Sequence, residues 1–170
     1  MPAPDNPWLD EPNADPDVFA LGLRSPWKGV YDARRRHWLI GDVGASDVEE
    51  LNLLSAPAQN FGWPIAEGRA DGNEYRNPFV QWRTSEASPS GLAFHEGSLW
   101  MASLRGARLW QVPVTADGTG RPRDWFVGDY GRLRTVVVAP NGNLWVTTSN
   151  RDGRGDPAPE DDRILEVALR

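Results

Sequence analysis

Cysteine is absent from the 170 residues, so disulfides and thiolate metal sites are excluded and the redox compartment stays open. Lysine is nearly absent: Lys28 is the single one among 18 basic residues. The others are arginines, whose planar fork suits directed contacts with anions more than diffuse attraction. The formal net charge is -6, so the clustered basic excess that a duplex phosphate backbone demands is missing and no nucleic-acid partner is expected. No run of eighteen apolar residues occurs, which excludes a membrane-spanning helix. The first residues, M-P-A-P-D, lack the basic and apolar parts of a secretory signal, which leaves a cytosolic chain or a true N-terminus lying upstream as the two expectations. Helix signals are also scarce; only residues 46–50, S-D-V-E-E, have the makings of a capped turn. With 39% hydrophobic and 25% charged residues, the remainder reads as one soluble globular unit over 1–170.

What is abundant is tryptophan, nine residues, and glycine, seventeen. Large aromatics bridge stacked sheets, and glycine supplies turns with positive φ and close backbone approach. Both recur inside a threefold repeat. Residues 29–32 (GVYD), 37–40 (HWLI) and 50–54 (ELNLL) are followed by 91–94 (GLAF), 98–101 (SLWM) and 108–112 (RLWQV), and then by 135–138 (TVVV), 143–146 (NLWV) and 163–167 (RILEV). Each copy is a short apolar strand, a tight turn, a Leu-Trp or Trp-Leu strand, a polar loop and a third strand. Asn141-Gly142 and Glu96-Gly97 are the hairpin signals, and D-A-R-R-R at 32–36 is a longer, solvated version. Strand-only units of this length that cannot bury their own faces must stack, as propeller blades do.

Residues 80–83 (VQWR) and 124–127 (DWFV) stand where an outer strand would complete a four-stranded blade, and 17–21 (DVFAL) looks like the outer strand preceding the first copy. The fold class is therefore all-β, with about three four-stranded antiparallel blades of an incomplete six-bladed β-propeller. Such a wedge has two open apolar faces, which soluble monomers rarely tolerate. Closure is expected through missing N-terminal blades or through a dimer.

Residues suited to chemistry fall at strand ends: LGLRSP at 21–26, DVGASDVEELN at 42–52, NFGWP at 60–64, SPSGLAF at 88–94, SLRG at 103–106 and GRLR at 131–134. Arg132 and Arg134 are two apart, so they point to one side of an extended segment. In this order the motifs resemble the soluble quinoprotein sugar dehydrogenases, the glucose/sorbosone dehydrogenase family. That family's pattern reads G-L/H-R-N-P, E-E-I-N, N-Y-G-W-P, P-S-G-L-A, S-L-K/R-G, R-x-R-D and L-Y/W-V-T. The resemblance covers the chain from about residue 5 to 169 and corresponds to the family's C-terminal half.

The resemblance implies oxidation of a sugar hydroxyl with hydride transfer to pyrroloquinoline quinone (PQQ), assisted by Ca2+. It assigns quinone contacts to Arg24, Ser25, Arg105, Arg132 and Arg134, whose guanidinium forks suit a tricarboxylate. Ser25 stands where the family has asparagine, a shorter group with fewer hydrogen bonds. Glu50 is implied as a calcium ligand, with Asp42, Asp47 and Glu49 lending charge, and Phe61, which replaces a tyrosine, able to offer only its carbonyl. The family's catalytic histidine precedes the Arg-Asn motif; His37 and His95 match no such position and read as surface residues beside turns. Residues 152–156, D-G-R-G-D, fit no standard cation loop and read as surface. The bland alternatives are a solvated helical turn at Glu49 and Glu50, and arginines simply paired with acids. Two functions follow: a dehydrogenase portion inactive alone, whose full-length relatives would be periplasmic or secreted, or a non-catalytic propeller-type interaction module with remnant cofactor residues.

Overall fold

The computed structural model describes residues 1–115 and 118–169. Eleven strands and no helix are present among them: β1 (Pro26–Asp32), β2 (His37–Asp42), β3 (Val48–Leu54), β4 (Val80–Arg83), β5 (Pro89–His95), β6 (Ser98–Ser103), β7 (Arg108–Pro113), β8 (Arg123–Trp125), β9 (Leu133–Val138), β10 (Leu144–Thr148) and β11 (Ile164–Val167). They form three antiparallel sheets in chain order, β1-β2-β3-β4, β5-β6-β7-β8 and β9-β10-β11. The first two are four-stranded blades; β4 coincides with the expected 80–83, whereas β8 ends at Trp125 rather than 127 because Phe126 turns with φ of 57°, and among the described residues the third has no fourth strand.

Strand alternation decides what each blade buries. In β6 all six residues are buried, because the middle blade is covered on both faces. Leu99 and Met101 belong to a core shared with Leu39, Leu51 and Trp82 of blade 1, while Trp100 and Ala102 belong to one shared with Leu133, Val136, Leu144 and Val146 of blade 3. The outer parts of blades 1 and 2 are locked by Trp82 on Trp110, ring centroids 5.4 Å apart, and Trp110 Nε1 donates to the Glu86 carbonyl at 3.0 Å. Nearer the axis, β5 and β9 come so close that a Cβ on Gly91 would run into the backbone of Thr135 and Val136.

The flanking blades keep their other faces open. On blade 1 Tyr31 and Trp38 pack together at 5.3 Å, with Trp38 still 45% exposed; on blade 3 Trp145 is 41% and Ile164 72% exposed.

Several expectations change. Residues 17–21 form no outer strand: Leu21 makes one isolated parallel bridge with Asn60. Residues 46–50 make no capped helical turn, since β3 begins at Val48 and both Glu49 and Glu50 are buried within it, so the solvated-turn alternative falls. His37 is not a surface residue. It is buried near Asp32, with 3.7 Å between its Nε2 and Oδ2, and burial lowers its pKa. His95 is partly exposed, and the 34–36 arginines are exposed as expected, although Arg35 also pairs with Asp32 at 2.7 Å.

Replacing Trp82 with alanine removes the aromatic lock between blades 1 and 2 and is expected to cost about 3–5 kcal/mol in chemical denaturation. Trp125→Ala, on an exposed strand, is expected to cost under about 1 kcal/mol by the same measurement.

Candidate functional site

Antiparallel order puts the start of each inner strand, the β2–β3, β6–β7 and β10–β11 loops at the same end of the wedge. All five arginine-motif residues gather at this end. Asp42, the last residue of β2, fixes the segment before β1: Oδ2 accepts from the Arg24 N–H at 2.9 Å and Oδ1 from the Ser25 N–H at 2.6 Å. The Arg24 guanidinium donates to the Val43 carbonyl at 2.9 Å and lies 5.5 Å from the Trp63 ring centroid. Gly22, with φ of 73°, lets this segment press against Asn60 and Gly62, where any side chain would clash.

Glu49 sits behind these groups. Burial pushes its carboxyl up to about 7, against the pull of the Gly44 N–H at 3.2 Å and of the Arg105 and Arg24 charges. It thus links Arg24 of blade 1 with Arg105 of blade 2 electrostatically, and an acid poised near neutrality can hold or release a proton there. Arg105 is exposed on a turn pinned by the Leu104 N–H to Ser88 at 3.1 Å and the Gly106 N–H to Ala87 at 2.6 Å. Among the described residues it has no carboxylate within salt-bridge distance.

Arg132 and Arg134 do share one side, and both reach Asp152, at 3.0 and 3.3 Å. Ser149 supplies further acceptors, its carbonyl to Arg132 and its Oγ to Arg134. Desolvation opposes ionisation of Asp152, but the Arg132 contact and the Arg154 N–H outweigh it and hold the carboxyl low. The 152–156 loop is exposed, as expected from sequence, and through Asp152 it also braces the arginine pair.

The implied calcium ligands are differently engaged. Glu50 Oε1 accepts from the Gly68 N–H at 2.6 Å and Oε2 from Asn52 Nδ2 at 2.9 Å, while burial raises its pKa. Phe61 is buried beside it in a small cavity also lined by Asp42 and Trp63. Among the described residues no three acids or histidines converge as a metal site. Glu50 and Phe61 nonetheless share that cavity with the carboxylates of Asp42 and Glu67.

Glu67 escaped sequence reasoning. The β3–β4 connection travels to this end of the wedge, and Glu67 Oε1 accepts from four successive N–H groups, Ala45 to Val48, at 3.0–3.4 Å. Burial raises its pKa, but those donors win and lower it overall. Its only sequence signal is an acid following the NFGWP motif.

Down the axis, β1, β5 and β9 line a cleft of about 510 Å³ that includes Lys28, Ser90 and Arg134. Pockets that take small molecules span about 300–1,000 Å³. Arg105, open to solvent, and Arg24, held by a carbonyl and a ring, offer guanidinium donors that fit a polycarboxylate cofactor at this end. Both histidines lie at the other end: His37 and Asp42 terminate β2 about 17 Å apart at strand rise.

Comparison with known proteins decides the family. A model of glucose/sorbosone dehydrogenase matches residues 1–158. The chain belongs to that family. Its fold is similar to the PQQ-bound aldose sugar dehydrogenase of Streptomyces coelicolor, with 44% identity and a TM-score of 0.84 over 98% of this chain and 48% of that one. A glucose dehydrogenase-type oxidoreductase of Thermus thermophilus is 37% identical, with a TM-score of 0.85 over 98% and 52%. The HIPL1 protein of Arabidopsis thaliana is 37% identical over 65 residues, 38% of this chain and 9% of HIPL1. This glucose/sorbosone dehydrogenase-type chain thus spans about half the length of its structural neighbours, and these open blades correspond to part of a PQQ sugar dehydrogenase propeller.

Because Glu49 has a raised folded pKa, the folded state holds its proton longer than the unfolded chain. Stability is expected to fall as pH rises from about 4.5 to about 7, by up to about 3 kcal/mol, and to level off above. Glu49→Gln is expected to flatten that slope in denaturant titrations at several pH values. Glu50→Gln leaves an amide hydrogen facing a donor and is expected to cost about 1–3 kcal/mol.

Proposed function

We propose that this chain is the quinone-anchoring, C-terminal part of a PQQ-dependent sugar dehydrogenase that oxidises a sugar hydroxyl, and that it does not turn over alone. What carries the reading is the placement of Arg24 and Arg105 around Glu49, at the same strand ends as Arg132 and Arg134. When bound, the quinone supplies a hydride acceptor. The chain's own residues grip and orient it. Arg105 and Arg24 pair with carboxylates; Ser25, fixed by Asp42, adds a short hydroxyl contact; Arg132 and Arg134 exchange Asp152 for the ligand. Glu49, its carboxyl pushed up to about 7 by burial, can hold or release a proton beside the guanidinium groups. Inactivity alone is supported by both histidines lying at the far strand ends, which leaves the sugar proton without an imidazole acceptor in these blades.

Calcium, implied by the resemblance, forms part of this proposal: Glu50 would hold it, since its two oxygens accept one hydrogen bond each, from Gly68 and Asn52, and keep a lone pair apiece, with Phe61 offering its carbonyl in the same cavity. A periplasmic or secreted parent protein belongs to the same proposal. The second reading, an interaction module with remnant cofactor residues, is favoured by one observation: Asp152 already neutralises two of the arginines.

Titration with PQQ, followed by quinone absorbance, separates the two. Saturable binding is expected, weakened about 10–100-fold by Arg105→Ala or Arg24→Ala, strengthened by Asp152→Asn, and unchanged by Arg34→Ala in the far turn. Absence of saturable binding overturns the quinone-anchoring reading. Dye reduction with aldoses is expected to stay at background; measurable turnover would show that these blades contain a working base.

A further inference from the structure

Away from the rim, blade 1 and the end of β7 enclose a cleft of about 700 Å³ lined by three arginines and a histidine. Pockets for small molecules span about 300–1,000 Å³. Arg35 and His37 come from the β1–β2 hairpin and Arg69 and Arg76 from the β3–β4 connection, while Val114 of blade 2 and Phe79 add apolar walls. Blades 1 and 2 both belong to this chain and stack within it, so the cleft is formed without either open face.

The backbone under the two exposed arginines is tightly held. Asn77 Oδ1 accepts from the Ala70 N–H at 2.8 Å and Asn77 Nδ2 donates to the Ala70 carbonyl at 3.2 Å, a clip that brings the adjoining Arg69 and Arg76 to neighbouring positions. The Arg69 N–H donates to Gln81 Oε1 at 2.8 Å and the Arg76 N–H to the Asn60 carbonyl at 2.7 Å. Arg35 holds the opposite wall, since its guanidinium donates to the Val114 carbonyl at 3.1 Å and so ties the hairpin to blade 2.

Positive charge in this cleft is not balanced. Asp32 is committed to the hairpin, with Oδ1 accepting from the Arg34 and Arg35 N–H groups and Oδ2 from the Arg35 guanidinium at 2.7 Å. Among the described residues neither Arg69 nor Arg76 has a carboxylate within salt-bridge distance. His37, only 9% exposed, lines the same cleft with an Nε2 that has no hydrogen-bond partner and stands 3.7 Å from Asp32 Oδ2. A buried polar atom left unpaired is uncommon, and guanidinium forks suit carboxylate and phosphate oxygens. We propose that this cleft is a second anion site, which takes a small oxyanion on an apolar body: the oxyanion lies between Arg69 and Arg76 within reach of His37, and the carbon body lies against Phe79. The site stands apart from the arginine rim and holds whether or not a quinone binds there.

His37 and His95 are the two histidines of the chain, so proton NMR at fixed pH follows each imidazole separately while phenyl phosphate, benzoate, inorganic phosphate or phenol is added. Phenyl phosphate or benzoate is expected to move the His37 signals saturably and to leave those of His95 in place. The tighter of the two identifies the natural ligand as a phosphate ester or a carboxylic acid. Inorganic phosphate, which has no carbon body, is expected to bind about tenfold or more weakly than phenyl phosphate, and phenol, which has no charge, to leave His37 unmoved. Arg69→Ala and Arg76→Ala are each expected to weaken binding about tenfold, and Arg121→Ala, an exposed arginine outside the cleft, to leave it unchanged. The wild-type titrations stand even if a variant unfolds. A His37 signal indifferent to both organic anions, one that phenol moves equally, or an affinity that Arg69→Ala and Arg76→Ala leave intact overturns the proposal.

Discussion

A propeller blade is apolar on both faces, and nearly everything in this structure follows from that. A sheet with one wet face can end a protein; a blade cannot, because β6 of the middle sheet buries residues toward both neighbours at once. Leu99 and Met101 need blade 1 as Trp100 and Ala102 need blade 3. The same demand, unmet, leaves Trp38 and Trp145 half in water on the flanking blades. Stacking also aligns the strand ends, and this alignment collects arginines distant in sequence at one rim.

Within that rim, carboxylates do the shaping. Asp42 and Glu67 accept backbone N–H groups rather than guanidinium groups, so they spend their charge on fixing loops. Arg24 and Arg105 are thereby left facing outward, with buried Glu49 behind them. Asp152 plays the opposite part and saturates Arg132 and Arg134. The site is thus graded, from arginines open to an anion in blades 1 and 2 to arginines already satisfied in blade 3. A cofactor with several carboxylates would meet both kinds of contact, and the blade 3 pair would have to trade partners.

The sequence carried the blade repeat because period-two alternation and hairpin turns are local. Asn141-Gly142 and the Leu-Trp strands mark their elements without help from distant residues. It misplaced 17–21, where β-forming chemistry exists but no neighbouring edge is available to pair with it. It read Glu49 and Glu50 as open to a helical turn, since two adjacent acids look solvated until a partner strand buries them. His37 looked like turn surface for the same reason; in the fold it faces the Asp32 carboxylate across the hairpin and lines a cleft with Phe79 and Val114.

What the sequence determined by itself is the strand pattern, the family motifs and the absence of a histidine beside the arginines, all of them properties of local order along the chain. Only the tertiary structure decided which charges stand free. Whether an arginine meets an anion or an aspartate depends on loops from other strands, as Asp152 reaching Arg132 and Glu50 accepting from Asn52 and Gly68 make plain. Burial sets those outcomes, because desolvation and hydrogen-bond geometry act through space and leave no spacing in the sequence to read.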